Sequence, residues 1–376
     1  SGVGYFVNTT AGAITVTLPA SPSAGDVVAV SDYAGTADTN NITIGRNGSN
    51  INGAAADLII AGINSAITLV YVDGTQGWKA TDTSSLSDVA LQPAYITATG
   101  GTITTVCTDY KVHTFTGPGT FTVSTLGNPA GGPNSVDYMV GAGGGGGGWC
   151  IGGGGGAGGI RASSGTASGC YSAGPIASCV SALPVSVQGY SIVVGAAGAG
   201  STGAPTPTNA TSGGGSTFSS ITSAGGGFGG TYGRSGQPGG SGGGAGGWTS
   251  NPDTPGSSGG SGNTPPVSPS QGNNGGSRPI NDFQSSGGGG GGATAVGTTS
   301  VTSPTRTGVA PGGAGNTTVI SGTPATYGTG GNGQGDANPT PAPAAANSSG
   351  GGTGAGASTG ANGGSGIVII RYKFQN

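Results

Sequence analysis

Residues 143–159 read GGGGGGWCIGGGGGAGG, and shorter glycine runs recur as far as Gly366. Glycine has no side chain to bury and loses more backbone freedom on ordering than any other residue, about 0.5–1 kcal/mol relative to Ala. Such a stretch is either a loose linker or an ordered structure whose backbones approach closely. That choice decides how the rest of the chain beyond it is read.

Polyglycine adopts the polyproline II geometry, with three residues per turn, a rise of about 3.1 Å and no internal hydrogen bonds. At that rise the stretch spans roughly 50 Å. Its buried N–H and C=O groups must still find partners. Several glycine helices side by side can supply them, because nothing projects between the rods. Strict Gly-X-Y periodicity is missing, which excludes collagen.

Composition agrees with packed rods. Of 90 glycines among 376 residues, 72 lie from position 141 onward. Charged residues make up 6%, against about 25% in an ordinary globular domain. Every acid is Asp; no Glu occurs. From 141 to 366 the only charges are Arg161, Arg234, Arg278 and Arg306 against Asp253, Asp282 and Asp336. Low charge with middling hydrophobicity meets only half of the disorder signature. A net charge of −3 gives no electrostatic argument for nucleic acid or an anionic membrane. No apolar stretch approaches the length of a membrane span, and the sequence shows no basic, apolar, small-residue leader.

Upstream of the long run the chain reads as all-β. Residues 1–82 carry β-branched or aromatic runs at 5–7, 14–18, 27–30, 42–44, 58–60 and 67–72. Asn47-Gly48 and Asp73-Gly74 are hairpin signals, and Trp78 is placed as the cap of a small core. Residues 83–100 read as a connector, with a short helix or turn over 85–91 ended by Pro93. Residues 101–140 form a second β segment, with strands at 102–106, 110–115, 120–123 and 136–140. The last of these runs straight into the glycines.

Residues 141–376 form a glycine-rich, loop-bearing domain. Its runs alternate with polar, proline-bearing inserts at 161–184, 201–212, 248–274, 293–311 and 316–349. Two apolar strands, 185–194 and 218–221, interrupt it. The chain closes on Ile367-Val368-Ile369-Ile370-Arg371-Tyr372, an aggregation hazard if left exposed. This strand is expected to pair with 136–140 or 185–194, folding the glycine region back on itself. Trp149, Phe218, Phe228 and Trp248 also read as buried, which favours packed rods over a linker. The inserts then become loops on a rigid scaffold, where binding usually sits.

Enzyme chemistry finds little support. His113, the only histidine, sits in a strand pattern without a positioned nucleophile or orienting acid, and reads as a strand histidine at a surface or subunit contact. Cys and His lack metal-ligand spacing, and no cofactor or metal is expected. GxGxxG matches are chance in this composition and lack the strand–turn–helix context. Gly330–Asp336 resembles a calcium repeat, but its Asp falls one place late and the motif is not repeated. A loop between Cys170 and Cys179 could be closed by a disulfide; four cysteines are no disulfide scaffold, and unpaired thiols are the favoured reading. Paired carboxylates for glycan cleavage remain a remote alternative.

VHTFTGPGTFTVS, VDYMVGAGGGGGGW, GGGGGAGG and GGSGIVIIRY, over about residues 110–373, together resemble the glycine-rich tail-fibre and adhesin domains of tailed bacteriophages. Residues 5–82 are similar to a β module repeated in phage fibre proteins. The resemblance implies β modules followed by a packed polyglycine II-type bundle with loops, assembled as a homotrimer. It implies a non-enzymatic fibre or adhesin subunit, built in the host cytoplasm and carried outside the virion. Its partners would be itself, other virion tail or fibre proteins, and a bacterial surface glycan or outer-membrane protein. Candidate receptor-binding residues are Arg161, Tyr171, Tyr232, Trp248 and Tyr327, with aromatics stacking on sugars or packing on receptor side chains. Trp149 and Phe228, embedded in glycine, are read as bundle caps. The alternatives are a purely structural fibre or capsid-decoration protein and, more remotely, ice binding, against which the irregular inserts argue.

Overall fold

The computed structural model describes residues 2–83, 89–169, 171–177, 179–203, 208–247, 256–280, 285–303, 307–337 and 341–375. The chain divides into two compact units, Ser1–Tyr95 with Leu126–Pro133 and Ile96–Thr125 with Asn134–Asn376.

The first unit is built from β1 (Gly2–Val7), β2 (Ile14–Thr17), β3 (Val27–Asp32), β4 (Ile42–Gly45), β5 (Leu58–Ile60), β6 (Ala66–Asp73), β7 (Gly77–Thr83) and β8 (Val89–Leu91). They form two sheets, ordered β1-β3-β6-β7 and β2-β4-β5-β8. β1 and β3 run parallel, as do β2 and β4. Alternation decides which face is buried. In β3 Val28, Val30 and Asp32 point inward, and in β6 Ile67 and Leu69 do. One apolar core draws on both sheets, with Ile42, Ile44, Ile60, Leu69 and Trp78 fully buried. Trp78 lies inside this core rather than capping it.

Two local expectations change. Asp73 does end a hairpin strand, its carboxylate accepting from the N–H groups of Thr75 and Gln76 at 2.8 and 2.7 Å. Asn47 is left-handed (φ 46°), yet it opens a longer loop between β4 and β5. There its side-chain amide donates to Leu18 O at 2.8 Å. Of the expected helix or turn at 85–91, residues 85–88 lie outside the described residues. Val89–Leu91 is a strand that pairs antiparallel with β5. The open edge of β5 supplies backbone partners that an isolated helical turn, with its costly nucleus, lacks.

In the second unit the strands are β9 (Thr97–Thr99), β10 (Thr102–Val106), β11 (Tyr110–Phe115), β12 (Gly119–Thr125), β13 (Ser135–Gly141), β14 (Ile160–Ala162), β15 (Leu183–Pro184), β16 (Gly189–Val193), β17 (Ser216–Phe218), β18 (Ile221–Ser223), β19 (Val309–Ala310), β20 (Asn316–Thr318), β21 (Ala325–Tyr327), β22 (Gly333–Gln334) and β23 (Ile367–Lys373). The main sheet runs β10-β11-β23-β13-β14, and a second runs β18-β17-β16-β12-β9. The closing strand β23 therefore sits in the middle, antiparallel to both β13 and β11. Of the two pairings expected for it, the one with 136–140 forms. Its Ile-Val-Ile-Ile run is buried throughout, as a central strand covered on both faces requires. Phe121, Tyr138, Tyr190, Phe218, Val368 and Ile370 join the two sheets in one core.

His113 corrects the expectation of a surface or contact histidine: it is fully buried. Its Nδ1–H donates to Gly100 O at 2.7 Å, and Nε2 lies 3.2 Å from the Tyr372 hydroxyl. Burial lowers its pKa.

The glycine runs are ordered rods. In rod 142–148, Gly143 and Gly146 donate to Gly214 and Thr211, Gly144 and Gly147 to Gly364 and Ala361, and Gly145 and Gly148 to Gly156 and Gly153, at 2.8–3.0 Å. A partner that returns every third residue is the signature of a three-residue turn. The carbonyls serve three further rods on the same period, accepting from Gly226 and Gly229, Gly198 and Ser201, and Gly352 and Ala355. Each N–H partner rod runs antiparallel and each C=O partner rod runs parallel. The rod thus has six neighbours, and its backbone hydrogen bonding is saturated without a side chain. Rods 152–159, 240–247 and 287–292 are surrounded in the same way. A Cβ on Gly144, Gly155 or Gly290 would overlap the carbonyl oxygen of Gly350, Gly145 or Gly155. Glycine is therefore required by close backbone approach, not by flexibility.

Candidate functional site

Because the rods consume their own backbone polarity, chemistry is left to the turns between them. One end of rod 142–148 closes in the turn Trp149-Cys150-Ile151. Cys150 and Ile151 there are left-handed (φ 55° and 56°), a conformation unusual for a β-branched residue. The turn is held from several sides: Ile151 N–H donates to Gly356 O at 2.9 Å, and Ile151 O accepts from Gly247 N–H at 2.8 Å. A second turn, at 231–234, is closed by Arg234 N–H donating to Thr231 O at 2.7 Å, with Gly233 at φ 67°. It meets the first where Tyr232 N–H donates to Trp149 O at 3.4 Å. A third segment brings in Thr208 and Asn209, with the Thr208 hydroxyl 2.8 Å from that of Thr202.

These three segments enclose a groove of about 420 Å³ lined by Trp149, Thr208, Asn209, Thr231, Tyr232 and Arg234. That volume lies in the range of small-molecule sites, about 300–1,000 Å³. A smaller cavity of about 210 Å³ adjoins it, sharing Asn209, Thr231 and Arg234 and adding Phe228 and Gln237. Trp149 is half-buried, and the backbone of Gly203 lies against its pyrrole ring. A side chain at Gly203 would meet the indole, so this wall of the groove is fixed by a glycine as well.

Among the described residues, the Trp149 Nε1–H, the Asn209 and Gln237 amides and the Arg234 guanidinium make no hydrogen bond or ion pair. The contrast with Asp137 is sharp. That buried carboxylate accepts from Ser163 Oγ, Gly165 N, Ala167 N, Ser168 N and Ser168 Oγ at 2.7–3.2 Å, pinning the start of the first insert. Cys150 offers no ready nucleophile beside the groove: burial, with Asp336 adding to it, pushes its thiol pKa up.

Of the residues proposed from sequence that are among the described ones, only Tyr232 lines this groove. Trp248 lies outside the described residues, as does Cys170 of the possible Cys170–Cys179 pair. Arg161 is half-buried on β14, opposite Val140. Tyr171 is half-buried, with the Arg371 guanidinium 4.9 Å from its ring centre and its hydroxyl donating to Ser163 O at 3.4 Å. Burial pushes its pKa up. Tyr327 is buried in the same apolar cluster that Tyr171 packs against, with Met139, Ile160 and Ile369. Tyr171 and Tyr327 thus supply packing, while of the two aromatics read as caps Trp149 lines the groove and Phe228 lines the cavity beside it. Glycine on both sides hid this, since a side chain between two rods is exposed only where the chain turns. The positive-φ turn after Trp149 has no clear sequence cue, because Cys and Ile rarely make one.

A second cleft of about 290 Å³, near Thr329, Asn332 and Ser348, holds hydroxyls and an amide but no ring or charge. Among the described residues no group of three metal-ligating side chains occurs. Rods that saturate one another and turns that carry the side chains define a scaffold-and-loop protein. A family model described as a glycine-rich domain matches residues 115–373, and the chain belongs to that family. Comparison with curated proteins returns no match.

Proposed function

We propose that this protein is a fibre or adhesin subunit of a tailed bacteriophage, binding the host cell surface through the turns and inserts of its glycine scaffold. One observation carries the reading: three turns converge on an aromatic-walled groove where the Trp149 indole N–H, the Asn209 amide and the Arg234 guanidinium make no hydrogen bond or ion pair among the described residues. A rod bundle suits this task, because loops of any sequence can be exchanged at its ends without altering a core made of backbone. The first unit would serve as the shaft module, and homotrimer formation would present three grooves and raise avidity. Purified protein is expected to compete with phage adsorption to host cells and to elute at three times the 34.7 kDa chain mass. Undiminished adsorption at saturating protein would refute the adhesin role.

A second reading, a structural fibre or decoration protein contacting other virion subunits, is favoured by a different feature. β1 is an edge strand, and Val3, Tyr5 and Phe6 on it are exposed, Phe6 to 80%. Exposed apolar edges invite pairing with another chain. Under that reading the protein co-sediments with virion components and leaves adsorption untouched.

A further inference from the structure

We infer that the groove between Trp149 and Arg234 is a saccharide site selective for an acidic sugar, one bearing a carboxylate. The inference rests on the adhesin reading for its biological setting and on the groove alone for its chemistry.

Three features identify the ligand class. The walls are aromatic, from the indole of Trp149 and the ring of Tyr232, with Phe228 in the adjoining cavity. Flat rings of this kind cover the C–H face of a pyranose and leave its hydroxyls at the edge, as amphipathic rings do wherever one side of a ligand is apolar and the other wet. The edge groups are then the right ones. The Asn209 and Gln237 amides each offer a donor and an acceptor in one plane, matching a pair of neighbouring hydroxyls. The Trp149 Nε1–H adds a donor and the Thr231 hydroxyl serves either role. A purely apolar ligand would leave these groups unpaired and dry, at a cost.

The charge narrows the class. Arg234 is the one charged side chain among the described residues that line either cavity. Its guanidinium is exposed and makes no ion pair among them. A planar fork of donors fits a carboxylate in two parallel bonds. Asp336 raises the pKa of Cys150, next to Trp149, but does not line the groove. A neutral sugar would use the rings and amides and leave the Arg234 guanidinium to water.

Rigidity supports the same reading. Trp149 is backed by Gly203, its turn is anchored to Gly356 and Gly247, and Thr231 and Arg234 are closed into a turn of their own. Little backbone freedom is left for these turns to lose on binding, which favours recognition of a small, weakly interacting ligand.

The test is calorimetric titration of the whole chain with two matched pairs of probes. One pair is tetragalacturonate and its methyl ester; the other is sialyllactose and lactose. At least one acidic probe should bind about tenfold or more tightly than its neutral counterpart, the discrimination expected of a hydrogen-bonded charge. Arg234→Gln, at an exposed position, should erase that preference and leave the fold intact by circular dichroism. Trp149→Ala should weaken acidic and neutral probes alike by about tenfold or more. Equal affinity within both pairs, an unchanged preference in Arg234→Gln, or no binding of any probe overturns the inference. Cell attachment measured alongside separates the two claims. Attachment that survives Arg234→Gln without any sugar binding removes the saccharide site and keeps the adhesin; sugar binding without attachment does the reverse.

Discussion

The two units solve the burial problem in opposite ways. In the first, side chains do the work: Trp78, Ile42, Ile44, Ile60 and Leu69 fill the space between two sheets. In the second, the rods fill space with backbone alone, and a Cβ on an interior glycine would overlap a neighbouring carbonyl. Apolar burial is worth about 25 cal/mol per Å² and tolerates exchange of similar shapes. A lattice of backbone hydrogen bonds tolerates no added atom but leaves every turn free to vary. Under the proposed function the side-chain core would serve as the fixed shaft and the backbone core as the display platform. Strands β13 and β23 join the two strategies within the second unit, since β13 leads directly into the first rod and β23 receives the last.

The largest expected contrast lies in hydrogen exchange. Amides of 143–148 and 152–159 should be protected at least about a thousandfold, as for hydrogen bonds that open only with global unfolding. Exchange at the rate of an open linker would remove the bundle from the comparison altogether. Trp78→Ala should then cost the first unit about 3–5 kcal/mol through the cavity it leaves. In a calorimetric scan that unit's transition should fall while the bundle's stays in place. Asp137→Asn should cost the second unit about 1.5–3 kcal/mol, since five donors lose a charged acceptor; chemical denaturation measures it. Gly155→Ala should cost about 1–3 kcal/mol by overpacking, whereas Gly4→Ala, with nothing within 4 Å of its Cβ, should stay within about 0.5 kcal/mol of zero. Equal effects at the two glycines would erase the distinction between the cores.

The smallest effect is a pH dependence of the second unit. Burial, offset in part by the bond to Gly100, lowers the His113 pKa from 6.5. The fold therefore favours the neutral ring, and the unfolded chain binds the extra proton first. Stability from this source is complete above the unfolded value of 6.5 and is lost as pH falls through the lower folded value. Melting of the second unit measured from roughly pH 7 to pH 5 should show the decline, and His113→Gln should flatten it.

Much of the architecture was legible in residue order. The runs of glycine with almost no charge favoured close-packed rods over a linker, because rods lying side by side pair their backbone groups with nothing projecting between them. The strand Ile367–Lys373 had to return to a sheet, because Ile-Val-Ile-Ile has nowhere else to hide. Periodicity placed most strands of the first unit. It could not place Val89–Leu91, whose strand state depends on the open edge of β5, nor the burial of His113, which depends on Gly100 and Tyr372 approaching from distant positions. The site was the least legible part. Insert aromatics such as Tyr171 and Tyr327 were natural candidates, yet neighbouring strands absorbed them into a core. Sequence alone favoured packed rods and placed the variable side chains in the inserts between them. Only the tertiary structure decided which turns meet, because a rod with six equivalent sides carries no sequence preference for its neighbours. Their order is imposed from outside, by the sheets and turns that launch and receive each rod. That order brings Trp149, Asn209 and Arg234 to one groove.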